Sequence, residues 1–134
     1  MKVNLLIVIT FLLLFSSCES GVEHIVNNYY LVSFEEGDDK TLSYKVTDGL
    51  YKDIIGPSIV NITHDNDFII VQQNPRVFPD EPNREKSNYY IIPLKKQMIK
   101  KGMPEDNYYG PYSFLELKKK CIELGGNDAS IPTW

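Results

Sequence analysis

Residues 113–124 read Ser113-Phe114-Leu115-Glu116-Leu117-Lys118-Lys119-Lys120-Cys121-Ile122-Glu123-Leu124, with Gly125-Gly126 directly behind them. Ser followed three places later by Glu matches a capping box, in which the hydroxyl accepts from the third backbone N–H and the carboxylate reaches back. Tyr112 and Leu117 occupy the two positions of a hydrophobic staple around that cap. Phe114, Leu117, Cys121 and Leu124 recur at helical spacing and form one apolar stripe. Glu116 and Lys120 stand four apart in the favourable order, worth about 0.3 kcal/mol. The glycine pair stops the helix. One amphipathic helix cannot bury its stripe alone, so the rest of the chain must supply a surface.

Upstream, five runs read as strands. Residues 28–34 come first, followed by the acidic turn Glu35-Glu36-Gly37-Asp38-Asp39. Residues 41–47 alternate Leu42, Tyr44 and Val46 with Thr41, Ser43 and Lys45, the period-2 pattern of a half-buried strand. Residues 50–57 read as a crossover closed by Gly56-Pro57. Residues 58–63 and 68–73 flank His64-Asp65-Asn66-Asp67 as a hairpin, and Phe68-Ile69-Ile70-Val71, apolar on both faces, belongs at the centre of a sheet. Residues 89–94 form the last strand; Pro93 cannot donate a ladder bond, which places that end at an edge. Between these last two strands lie residues 74–87, with Pro75, Pro79 and Pro82, a length that is usually flexible or functional. The predicted fold is α+β: an about five-stranded, mainly antiparallel sheet with one C-terminal helix packed on it.

The amino terminus carries a different signal. Met1-Lys2 precede an apolar run from Val3 to Phe15, broken only by Asn4 and Thr10. The run matches a signal-peptide core and is too short to span a bilayer as a helix, which takes about 20 residues. Phe15-Ser16-Ser17-Cys18 then places two small residues before a cysteine. This resembles the lipobox of bacterial lipoproteins, with Phe15 where that family favours Leu and Ser17 where it favours Gly or Ala. The resemblance implies cleavage after Ser17 and acyl chains on Cys18, hence membrane attachment outside the cytoplasm, at the cell or outer membrane. The expected organisation is a signal peptide over 1–17, a lipidated tether over 18–27, a single domain over 28–126 and a tail over 127–134.

Without Lys2, residues 18–134 carry 13 basic and 18 acidic side chains, a formal charge of −5. That balance speaks against a nucleic-acid partner, which calls for a concentrated basic face. With Cys18 lipidated, Cys121 has no partner for an intramolecular disulfide.

Few residues suggest chemistry. His64-Asp65-Asn66-Asp67 is the densest ligand-like cluster, but Asn and Asp are also what hairpin turns favour, and no spaced Glu completes a calcium loop. The acidic run over 35–39 reads as solvated surface, and His24 as an exposed residue near the tether. Cys121 lies mid-stripe and reads as core. No nucleophile elbow, zinc-protease motif or phosphate loop occurs. The expectation is therefore no catalytic residue, no metal and no cofactor. Tyr29-Tyr30, Tyr89-Tyr90 and Tyr108-Tyr109 are the candidate binding surface, since one ring of each pair should point outward from a strand, and exposed Tyr suits interfaces and sugar stacking. Lys95, Lys96, Lys100 and Lys101 form a basic group able to touch anionic lipid.

The order of parts resembles a family of small, uncharacterised bacterial lipoproteins built on a domain of unknown function. The likeness rests on the lipobox, the strand Asn88-Tyr89-Tyr90-Ile91-Ile92 and the Gly110-Pro111-Tyr112-Ser113 entry to the helix. It implies no catalytic residues. The expected role is that of a non-enzymatic envelope protein held in the membrane by lipid on Cys18, with an envelope protein or polysaccharide as partner. A self-protection or inhibitor lipoprotein against a toxin or hydrolase is the alternative, and an envelope enzyme is a more distant one.

Overall fold

A computed structural model describes residues 21–33, 39–77, 79–95, 102–103 and 106–134. Cys18, the signal-peptide region and Lys96, Lys100 and Lys101 lie outside the described residues, as does all of the acidic run except Asp39.

Two four-stranded antiparallel sheets and one helix make up the fold. The first sheet holds β1 (Val22–Val26), β2 (Tyr29–Ser33), β3 (Lys40–Thr47) and β4 (Leu50–Ile55), in chain order. The second holds β5 (Ile59–His64), β6 (Phe68–Gln73), β7 (Asn88–Pro93) and β8 (Tyr109–Tyr112), also in order. Helix α1 (Phe114–Glu123) follows β8 directly. The prediction of α+β with a C-terminal helix holds; the single sheet of about five strands does not. Three further strands account for the difference. β1 lies within the expected tether, β4 within the expected crossover, and β8 contains Gly110-Pro111, a pair that reads as a turn.

The strands sort into three layers because β6 is apolar on both faces, as its sequence predicted. Ile69 and Val71 face the first sheet, where they join Tyr29, Leu31, Leu42, Ile55, Ile59 and Ile92 in one buried cluster. Phe68 and Ile70 face the other way and meet Ile91, Leu117 and Cys121 under the helix. The second sheet is therefore covered twice, by a sheet on one face and a helix on the other. Pro93 sits in β7, an interior strand, but β8 pairs only as far as Ile91, so the Pro93 end keeps a partner on the β6 side alone.

The helix forms as its sequence dictates. Ser113 N–H donates to Glu116 Oε2 at 2.8 Å and Glu116 N–H to Ser113 Oγ at 3.4 Å. All four residues of the apolar stripe lie in the helix-side cluster. At the far end Gly125 takes a φ of 85°, and the N–H groups of Gly125 and Gly126 bond Ile122 O and Cys121 O, a Schellman closure that needs a left-handed residue. The expected Glu116–Lys120 pair does not form. The Glu116 carboxylate is engaged at the cap, and Lys120 Nζ instead meets Glu123 Oε2 at 2.9 Å.

The expected tail over 127–134 carries local structure. Asp128–Ser130 form a short 3-10 turn capped by Asn127, and Ile131 packs against the helix-side cluster. Among the described residues of 74–87 there is no strand or helix, but the segment is internally bonded. Asn83 N–H reaches Pro75 O at 2.9 Å, and Arg76 Nε donates to Asp80 O at 2.7 Å. A loop closed on itself in this way holds a shape, unlike a flexible linker.

Candidate binding surface

The six tyrosines proposed from sequence do not gather on one surface, although Tyr90 and Tyr108 meet. Tyr29 is buried between the sheets, edge-on to Tyr44 at 5.2 Å. Tyr90 points into the same core, its ring against Tyr108 and its hydroxyl donating to Gln73 Oε1 at 3.1 Å. Burial pushes the Tyr90 hydroxyl pKa up. Tyr89 packs on Phe114, and Tyr109 lies beneath Lys120 Nζ, 5.0 Å from the ring centre. The physical reason is the doubly covered sheet. Adjacent residues on one strand still point to opposite faces, but each face of the second sheet carries a core, so Tyr89, Tyr90, Tyr108 and Tyr109 are each half-buried.

Tyr30, also half-buried, lies on the face of the first sheet away from the core between the sheets, together with buried Val32, Thr41 and Ser43. Register places His24 opposite Tyr30, Tyr30 opposite Ser43, and Ser43 opposite Asp53, all on the face away from the core. Tyr51 joins them from β4. The rings form a chain: His24 to Tyr30 at 4.9 Å and 54°, then Tyr30 to Tyr51 at 5.3 Å and 77°. Tilted and edge-on contacts of this kind put a ring's positive edge against its neighbour's negative face. His24 Nε2 lies 2.8 Å from Asn27 O, so this nitrogen carries a proton and donates. Beneath the rings, fully buried Ser43 donates to Asp53 Oδ1 at 2.7 Å. Beside them Lys45 Nζ pairs with Asp48 Oδ1 at 2.7 Å; that bond and the charge behind it raise the lysine pKa and lower the aspartate's.

This arrangement supplies two aromatic rings, an imidazole and a cation on one sheet face. It can stack a sugar or an aromatic side chain and donate hydrogen bonds around the rim. Sequence reading missed Tyr51 because residues 50–57 looked like a crossover, and it set His24 aside as part of a tether. Leu50-Tyr51-Lys52-Asp53 shows no apolar–polar alternation, so the pattern gave no signal of a strand there.

The His64–Asp67 cluster is a turn. Asp65 Oδ1 accepts from Asp67 N–H at 2.7 Å and Phe68 N–H at 2.8 Å. Partial burial pushes the Asp65 carboxyl pKa up, but these two bonds, a hydroxyl bond from Ser130 and the nearby His64 outweigh it and leave the pKa lowered. Among the described residues no group of three or more His, Cys, Asp or Glu could hold a metal ion. A small cavity of about 110 Å³ lies between this hairpin and the C-terminal turn, lined by His64, Asp65, Phe68 and Ser130. Ligand pockets usually run to roughly 300–1,000 Å³, so it has room for a few waters or a small ion. Cys121 is fully buried, and burial together with Asp65 raises its pKa to about 11, which keeps the thiol protonated and unreactive.

A family model described as a protein of unknown function, DUF3997, matches residues 26–128. No curated protein and no solved structure matches the chain.

Proposed function

The chain belongs to the DUF3997 family of proteins of unknown function, and on that premise we propose that it is a bacterial envelope lipoprotein, anchored by acyl chains on Cys18, that binds another envelope protein or a polysaccharide without catalysing a reaction. The observation that carries the binding reading is the aromatic row His24–Tyr30–Tyr51 on the face of the first sheet away from the core it shares with the second. The anchor rests on the apolar run and on Phe15-Ser16-Ser17-Cys18. Two or more acyl chains hold a protein firmly where one gives only marginal binding, each buried methylene contributing about 0.8 kcal/mol.

Two measurements in one bacterial strain test both halves. Feeding a clickable fatty acid should label the wild-type chain, and Cys18→Ser should abolish the label; full label on that variant refutes the anchor. A photo-crosslinking residue at position 51 should trap a discrete partner band that Tyr30→Ala weakens, whereas one at position 122, on the exposed side of α1, should not. Equal bands from both positions would remove the assignment of the binding face.

A further inference from the structure

The lipoprotein reading has a geometric consequence for which end of the domain meets the membrane. The described fold reaches to within three residues of Cys18: Gly21 O accepts from Ser33 N–H at 2.6 Å, and β1 starts at Val22. Three peptide steps separate Cys18 from Gly21, a reach of at most about 11 Å. The headgroup layer of one leaflet is itself roughly 5–8 Å thick. A lipid on Cys18 therefore leaves only a few ångströms of slack, and the end of the domain that holds Gly21 must rest on the headgroups.

What else lies at that end follows from register. Ser33 pairs with Lys40 at the start of β3. Asp39, one residue earlier, forms an ion pair with Arg76 of the 74–87 loop. The loop joins the end of β6 to the start of β7, and Asn74 N–H bonds Ser58 O just before β5. Helix α1 also begins here, since Tyr112 of β8 pairs with Tyr89 near the start of β7. The two most exposed large hydrophobics among the described residues, Val77 at 77% and Leu115 at 64%, thus belong to elements of the end where Gly21 sits. The loop carries exposed Arg84 and Lys86 beside them.

We propose that this end is a lipid-contacting surface: the domain stands on the bilayer with the loop around Val77 and the start of α1 in the headgroup layer. The β3–β4 turn, with Leu50, then points away from the membrane. β3 alone is eight residues long, which sets the two ends roughly 23 Å apart. Lys95, from the basic group considered for lipid binding, pairs with Asp67 at 2.6 Å near the opposite ends of β6 and β7, so it faces away from the bilayer. Asp80, Glu81 and Glu85 offset the loop's cations. The contact is therefore made by the tether and apolar side chains, and salt should not release it.

The proposal rests on lipidation of Cys18, and the test separates the two. The full chain carrying Val77→Cys or Leu50→Cys is isolated from bacterial membranes; buried Cys121 does not take label. An environment-sensitive fluorophore is attached, and the protein is reconstituted in phosphatidylcholine vesicles containing a spin-labelled quencher lipid. The mass of the N-terminal peptide is measured on the same sample. A lipidated peptide, with strong salt-insensitive quenching at position 77 and little at 50, is the expected result. A lipidated peptide with equal or reversed quenching overturns the orientation alone. An unlipidated peptide overturns the lipoprotein reading and the orientation with it.

Discussion

Replacing Leu117 by Ala and, separately, Ile122 by Ala tests the three-layer packing with equal chemistry on two faces of one helix. Each change removes three carbons. Leu117 is 0% exposed, within the cluster formed by Phe68, Ile70, Ile91 and Cys121. Its three lost carbons cost about 2.4 kcal/mol in transfer, and the cavity raises the total to about 3 kcal/mol, within the range for buried Leu→Ala changes. Ile122 is 58% exposed. Only about two-fifths of the transfer cost applies there, and Ala regains about 0.4 kcal/mol of helix propensity, leaving roughly 0.5 kcal/mol. An unfolding entropy near 2.1 cal/mol/K per residue over residues 21–134 gives about 0.24 kcal/mol/K. Leu117→Ala should then lower Tm by about 12 °C and Ile122→Ala by about 2 °C. Urea titration followed by circular dichroism, with both variants fitted to a common m-value, gives the free energies directly. A loss below about 1 kcal/mol for Leu117→Ala, or equal losses for the two variants, would mean that α1 does not cover the second sheet with this face.

Two further outcomes follow from the hairpin turn and the thiol. The lowered pKa of Asp65 means its folded-state contribution is present above its ordinary value near 3.8 and disappears as pH falls through the lower folded value. Stability measured from pH 6 down to pH 2 should show this loss. Asp65→Asn, which keeps an acceptor for Asp67 and Phe68, should flatten that part of the profile; an unchanged acid limb refutes the assignment. Iodoacetamide at pH 8 should leave Cys121 of the native protein unmodified and alkylate it after denaturation, as read by mass spectrometry; rapid native modification would contradict its burial.

The parts of the fold legible in sequence were those decided locally. Ser113 and Glu116 specify their cap whatever lies beyond it, and the stripe through Leu117 and Cys121 identifies the buried face. Phe68-Ile69-Ile70-Val71 announced a strand buried on both sides. Alternation, however, says that a residue is buried and not which layer buries it, so one sheet and two sheets look alike from the pattern of Leu42 and Tyr44. β1, β4 and β8 were hidden by stronger local cues: nearness to Cys18, the Gly56-Pro57 pair and the Gly110-Pro111 pair. The tyrosines show the same limit. Pairing on a strand correctly sends Tyr89 and Tyr90 to opposite faces, yet only the three-dimensional arrangement shows that each face carries a core. Tyr30 likewise takes the opposite face of its strand from Tyr29, as pairing predicts.

The position of β6 also shapes how the protein comes apart. Neighbouring residues Ile69 and Ile70 of β6 anchor different cores, as do Ile91 and Ile92 of β7, so the helix layer and the first sheet share these two strands as their foundation. Peeling away either layer bares an apolar row on β6 and removes support from the other. A half-open species would be poor in free energy, and opening should be all-or-none. The backbone amides of β6 are then the ones that exchange with deuterium only through global unfolding, while residues 74–87 exchange through small local openings.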